Sequence, residues 1–145
     1  MSRSIALLLV TGLLSATPAF ATETPPAFLL QWGSQGTGTG HFNGPLGIAV
    51  SPGGVVYVAD YENHRIQLFT TDGAYVSQWG VLGTGDGEFN GPYGIAVGSS
   101  GDIYVVDALN ARIQKFDPTG FFLTKWGGPG TGDGQFENPT RIAVD

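Results

Sequence analysis

One fifteen-residue stretch occurs three times in this chain at a constant spacing. It reads Gly36-Thr-Gly-Thr-Gly-His-Phe-Asn-Gly-Pro-Leu-Gly-Ile-Ala-Val50, then Gly83-Thr-Gly-Asp-Gly-Glu-Phe-Asn-Gly-Pro-Tyr-Gly-Ile-Ala-Val97. The third copy, Gly130-Thr-Gly-Asp-Gly-Gln-Phe-Glu-Asn-Pro-Thr-Arg-Ile-Ala-Val144, again starts forty-seven residues on. A fixed period of this size is the signature of a repeat architecture, in which each unit buries its apolar surface against the next.

Within a period the residues predict four short strands. The first is Leu46-Gly-Ile-Ala-Val50, opened by Pro45 and followed by the turn Ser51-Pro-Gly-Gly54. The second, Val55-Val-Tyr-Val-Ala-Asp60, is β-branched and aromatic, and returns as Asp102-Ile-Tyr-Val-Val-Asp107. The third, Arg65-Ile-Gln-Leu-Phe69, returns as Arg112-Ile-Gln-Lys-Phe116. The fourth ends on tryptophan each time: Phe28 to Trp32, Tyr75 to Trp79 and Phe122 to Trp126. No window carries a 3.6-residue apolar period, so no helix is expected after residue 21. In Val55 to Ala59 side chains on both sides of the strand are apolar, so each sheet should be covered on both faces. The expected fold is therefore all-β, made of β-propeller blades of four antiparallel strands.

The motif Gly-Asp-Gly-x-Phe-x-x-Pro, then Ile-Ala-Val, then Ile/Val-Tyr-Val-x-Asp, then x-x-Asn-x-Arg-Ile-Gln-x-Phe resembles the NHL repeat. It stands at Gly85 to Phe116 and at Gly38 to Phe69, with Thr39 in place of the acidic residue. The resemblance covers residues 28–145 and implies a ring of about six blades. This chain then holds two whole blades, Leu46 to Trp79 and Tyr93 to Trp126, with a lone fourth strand before them and a lone first strand, Arg141 to Asp145, after them. A fragment of a longer ring is the expectation.

The first 21 residues read as an export leader. Arg3 precedes an apolar run from Ile5 to Leu14, and Ala19-Phe-Ala21 offers a small-x-small cleavage site. Residues 22–27, Thr-Glu-Thr-Pro-Pro-Ala, read as an extended linker. A secreted or periplasmic product with no membrane span after cleavage is expected. It would keep five basic side chains (Arg65, Arg112, Lys115, Lys125, Arg141) against twelve acidic ones, a formal charge of −7. Without a basic patch, nucleic acid is not an expected partner. The absence of cysteine excludes disulfides, thiolate metal sites and thiol nucleophiles.

In a four-strand meander the turn after the second strand shares one end of the blade with the Gly-rich loops 33–45, 80–92 and 127–139. That end is the candidate interaction face, carrying Tyr61, Glu62, His64, His41, Glu88 and Gln135. The recurring sets Asp60/Asn63/Arg65 and Asp107/Asn110/Arg112 invite a catalytic reading, but a site copied in every blade points to closure of the turn. Trp32, Trp79 and Trp126 share one phase, which favours packing between blades over a sugar platform.

Gly36-Thr-Gly-Thr-Gly40 lacks the following helix and lysine of a phosphate loop. Asp86 and Asp133 offer too few oxygens for calcium, and His41 and His64 are too few for a catalytic zinc site or a Ser-His-Asp triad. No cofactor is expected. The function expected is a non-enzymatic binding module for a protein or glycan. The competing reading is a metal-dependent lyase or hydrolase of the peptide-amidating-lyase type, with its ligands in further blades.

Overall fold

The computed structural model describes residues 30–145. The leader, the linker and residues 28–29 lie outside the described residues. The described residues run through ten strands: β1 Ser34–Gln35, β2 His41–Phe42, β3 Pro45–Val50, β4 Val55–Asp60, β5 Arg65–Thr70, β6 Tyr75–Trp79, β7 Pro92–Val97, β8 Ile103–Asp107, β9 Arg112–Phe116 and β10 Phe122–Gly127. Two four-stranded antiparallel meanders result, β3-β4-β5-β6 and β7-β8-β9-β10. They are two β-propeller blades, and β1 with β2 forms a short parallel pair in the loop before the first.

The apolar period of two on both strand faces explains the stacking. In β4, Tyr57 and Ala59 face the second blade and join Ile95, Ile103, Val105 and Phe116 in the larger core. Val56 and Val58 face the other way, with Phe69, toward Trp32 and Phe42. Both sides of the sheet are therefore covered by apolar groups, the arrangement that gives non-directional burial its greatest return per strand. Ile95 is 7% exposed in this interface, whereas its counterpart Ile48, on the open side of the first blade, is 64% exposed.

The first strands of successive repeats come together backbone to backbone. A Cβ at Gly94 would stand 2.6 Å from the Thr140 carbonyl oxygen, and one at Gly47 would collide with the Tyr93 carbonyl. Glycine is thus required in β3 and β7 by space alone. In the third copy Arg141 holds this phase.

Three expectations are corrected. Leu30 to Trp32, within the predicted strand Phe28 to Trp32, and Arg141 to Asp145 form no strand. A strand exists through its ladder, and among the described residues neither segment has its neighbouring strand beside it. Trp32 nevertheless packs as its phase requires, 6.3 Å from the Phe69 ring, as Trp79 lies 5.5 Å from Phe116. Finally, single 3-10 turns, absent from the sequence reading, follow β4 at Tyr61–Asn63 and β8 at Ala108–Asn110.

Phe116 has no exposure and meets the rings of Trp79, Phe89 and Phe122. Phe116→Ala is expected to cost about 3–5 kcal/mol in urea unfolding, because packed neighbours cannot fill the space. Phe121→Ala, at a position 70% exposed, should stay within about 0.5 kcal/mol. Equal midpoints for the two variants would contradict the stacked-blade core.

Candidate functional site

Each blade closes its loop end around one buried carboxylate. Asp60 ends β4, the 3-10 turn Tyr61–Asn63 follows, His64 takes left-handed dihedrals (φ 53°), and Arg65 opens β5. The short turn returns Asn63 and Arg65 to the Asp60 side chain. Asp60 Oδ2 accepts from Asn63 Nδ2 at 2.8 Å, Arg65 Nε at 2.8 Å and Gln67 Nε2 at 3.1 Å. Its Oδ1 accepts the Asn43 backbone N–H at 2.7 Å. The same donors then reach outward to the preceding Gly-rich loop. Asn63 binds the Gly36 carbonyl, and Arg65 Nη2 binds the Gly38 and His41 carbonyls. Gln67 Nε2 donates to the His41 carbonyl while its Oε1 accepts the Gly40 N–H.

The second blade repeats this arrangement. Asp107 accepts from Asn110 at 2.9 Å, Arg112 Nε at 2.6 Å, Gln114 at 3.2 Å and the Asn90 N–H at 2.7 Å. Arg112 also donates to the Thr84, Gly85 and Glu88 carbonyls. Asp60, Asp107, Gln67 and Gln114 have no exposure. Carboxylates and guanidinium groups so fully engaged hold loops in place; they offer no open group for acid–base work. Gln67 and Gln114 are members that sequence reasoning left out of its site residues. The available signal was a glutamine at the same phase of the third strand in both blades.

The other predicted residues divide by environment. Tyr61 is half-buried, its ring 6.0 Å from Tyr93 in an edge contact across the blades. Glu62 is exposed. His64 is half-buried, and its Nδ1 accepts the Gly91 N–H of the next repeat's loop at 3.1 Å. His41 is exposed, with Nδ1 3.1 Å from the Thr39 carbonyl. Glu88 and Gln135 fold back to accept the Gly85 and Gly132 N–H groups. Trp79 and Trp32 are half-buried against the following repeat, and Trp126 is exposed beside Tyr104. Val81, Leu82 and Leu109 are exposed on the same loops, apolar positions the sequence analysis did not single out. Asp86, considered for calcium, pairs with Lys125 at 2.5 Å. Among the described residues no three His, Asp or Glu side chains gather as a metal set.

At the opposite end a cleft of about 570 Å³ opens between the blades, lined by Val55, Leu68 and Val76 on one wall and by Ser99, Pro118 and Thr119 on the other. Tyr57 donates to the Pro118 carbonyl there, and burial, then Asp117, raises its phenol above the ordinary value. In the second blade Asp102 and Lys115 replace Val55 and Leu68 and pair at 2.8 Å. Their hydrogen bond lowers the carboxyl and raises the ammonium, and Lys115 lies 5.3 Å over the Tyr104 ring. Asp117 is lowered first by the Thr119 hydroxyl and then by the Phe121 N–H.

The meanders, their both-sided cores and the repeated loop closure define a protein of β-propeller blades. The NHL repeat matches the chain twice, at residues 42–69 and 89–116. No curated protein matches its sequence. Among solved structures it is similar to a candidate exported protein from Bacteroides fragilis, with 22% identity, a TM-score of 0.53, and cover of 63% of this chain and 26% of that one. It is also similar to a calcium-binding protein, regucalcin, from Agrobacterium tumefaciens, with 18% identity, a TM-score of 0.50, and cover of 67% and 32%. Hydrazine synthase of Kuenenia stuttgartiensis matches with 17% identity, a TM-score of 0.50, and cover of 67% and 26%. These likenesses are of fold, and the chain spans only about a quarter to a third of each structure's length.

Arg112→Ala strands the Asp107 carboxylate in the core and is expected to cost about 3–5 kcal/mol in urea unfolding. Arg112→Lys should recover only part of this, since one ammonium cannot replace the guanidinium fork; full recovery would contradict the network. Asp117 titrates low in the folded chain, so its stabilisation is present above the unfolded carboxyl value of about 3.9 and is lost as pH falls through the folded one. Asp117→Asn should therefore flatten the acid limb of a stability–pH curve. An unchanged limb would show the Thr119 contact to be without weight.

Proposed function

We propose that this chain is part of an exported, non-enzymatic NHL propeller that binds a protein partner through its loop end, with a glycan as the other ligand class. The observation that supports this reading is the full engagement of Asp60, Arg65, Asp107 and Arg112 in fixing the loops. What those rigid loops offer to solvent is apolar and acidic: Val81, Leu82 and Leu109 beside Glu62 and Glu137. Apolar anchors within a polar, acidic surround suit a partner segment with matching apolar side chains and a basic rim. Rigid presentation reduces the ordering cost of binding.

Photo-crosslinking side chains placed at Glu62 and Leu109, with Ser99 and Thr119 at the opposite end as controls, test the reading in cells exporting the full chain. Crosslinks to a partner are expected from positions 62 and 109 only, on a product whose first residue is Thr22. Crosslinks from the control end alone, or stoichiometric zinc or calcium with turnover of a substrate, would overturn it.

A further inference from the structure

The three repeats carry a natural comparison at one dipeptide. Phe42-Asn43-Gly44-Pro45 and Phe89-Asn90-Gly91-Pro92 are identical in sequence, and in the third copy Glu137 and Asn138 hold the Asn and Gly phases. The two Asn-Gly loops also share their backbone. Gly44 and Gly91 have φ of 60° and 67°. Asn43 and Asn90 each donate their N–H to the buried aspartate at 2.7 Å, and their carbonyls accept from Glu62 and Leu109 at 3.0 Å. Among the described residues no protein group hydrogen-bonds either asparagine side-chain amide. They differ at the following glycine: Gly44 is exposed, whereas Gly91 is buried against Tyr61 and its N–H donates to His64 Nδ1 at 3.1 Å. With Nδ1 accepting, the neutral ring carries its proton on Nε2 and presents a basic lone pair to that N–H. At the position equivalent to His64 the second blade has Ala111, in the same left-handed conformation with φ 50°.

We infer that His64 acts as a base on the Gly91 amide, making Asn90 a site of self-catalysed deamidation in the folded protein. Gly91 carries no Cβ to obstruct approach of its nitrogen to the preceding side chain. His64 takes the N–H proton as the nitrogen bonds to Asn90 Cγ. The Cγ–Nδ2 bond then breaks, and the departing nitrogen leaves as ammonia with the proton returned from the imidazolium. Water opens the resulting succinimide to aspartate or isoaspartate. No oxidant or cofactor enters, and the net change is one amide lost for one carboxylate gained. The new negative charge falls beside Tyr61 and Leu109, which flank Gly91. The isoaspartyl form would also lengthen the main chain by one carbon between the bonds to Asp107 and Leu109.

Peptide mass spectrometry of the full chain, incubated folded at neutral pH, reads both sites in one sample. Asn90 is expected to convert at least about tenfold faster than Asn43, a figure below the usual range for a positioned base because a peptide nitrogen is a poor acid. His64→Ala, a residue the second blade accommodates at this position, should bring Asn90 down to the Asn43 rate, while His41→Ala leaves both unchanged. In urea the two sites should react equally, their flanking sequences being the same. Equal rates in the folded protein, an Asn90 rate unmoved or increased by His64→Ala, or a difference that persists in urea would each overturn the inference.

Discussion

A carboxylate withdrawn from water must be given donors, and in each blade that requirement organises the loop end. Four donors converge on Asp60 and four on Asp107, and most of them belong to groups that also hold the preceding Gly-rich loop. The anion is a hub that makes the blade and the loop one structural unit. Removing a spoke leaves charge without compensation in a low-dielectric interior, so the arrangement is more costly to break than its individual bonds suggest. Stacking of apolar faces supplies the bulk of the cohesion, and the hub decides where the loops rest.

This division of labour separates the side chains that fix the loops from those the loops present to solvent. Residues that look chemically potent in the sequence, the Asp–Arg pairs, are consumed inside. Residues that look unremarkable, Val81, Leu82 and Leu109, are the ones presented outside. A family defined by such internal signatures can keep its fold while the outer side chains vary, which is why a shared fold carries little information about ligand.

The blade plan was legible because the turn residues, the strand alternation and the tryptophans recur at one phase. The Asp60–Arg65 closure was legible too, since a turn of four residues brings those positions together. Gln67 was not, because a glutamine in a strand reads as facing water unless a carbonyl is known to sit opposite. The contact of His64 with Gly91 was hidden for another reason: it crosses between repeats and, among the described residues, occurs in one copy. Strand character at 30–32 and 141–145 was over-read, since residue type can favour an extended chain but the ladder depends on what lies alongside.

The tryptophan ending one repeat lies against a glycine in the next repeat's turn, Trp32 on Gly73 and Trp79 on Gly120. At Gly120, with φ of 91°, a Cβ would stand 2.7 Å from the indole. Projection and recess are thus encoded in the same unit but used on opposite neighbours. A duplicated unit therefore arrives already able to receive its own copy, so an array can grow by whole repeats without new complementarity having to evolve. The same pairing means that neither partner is free to drift alone.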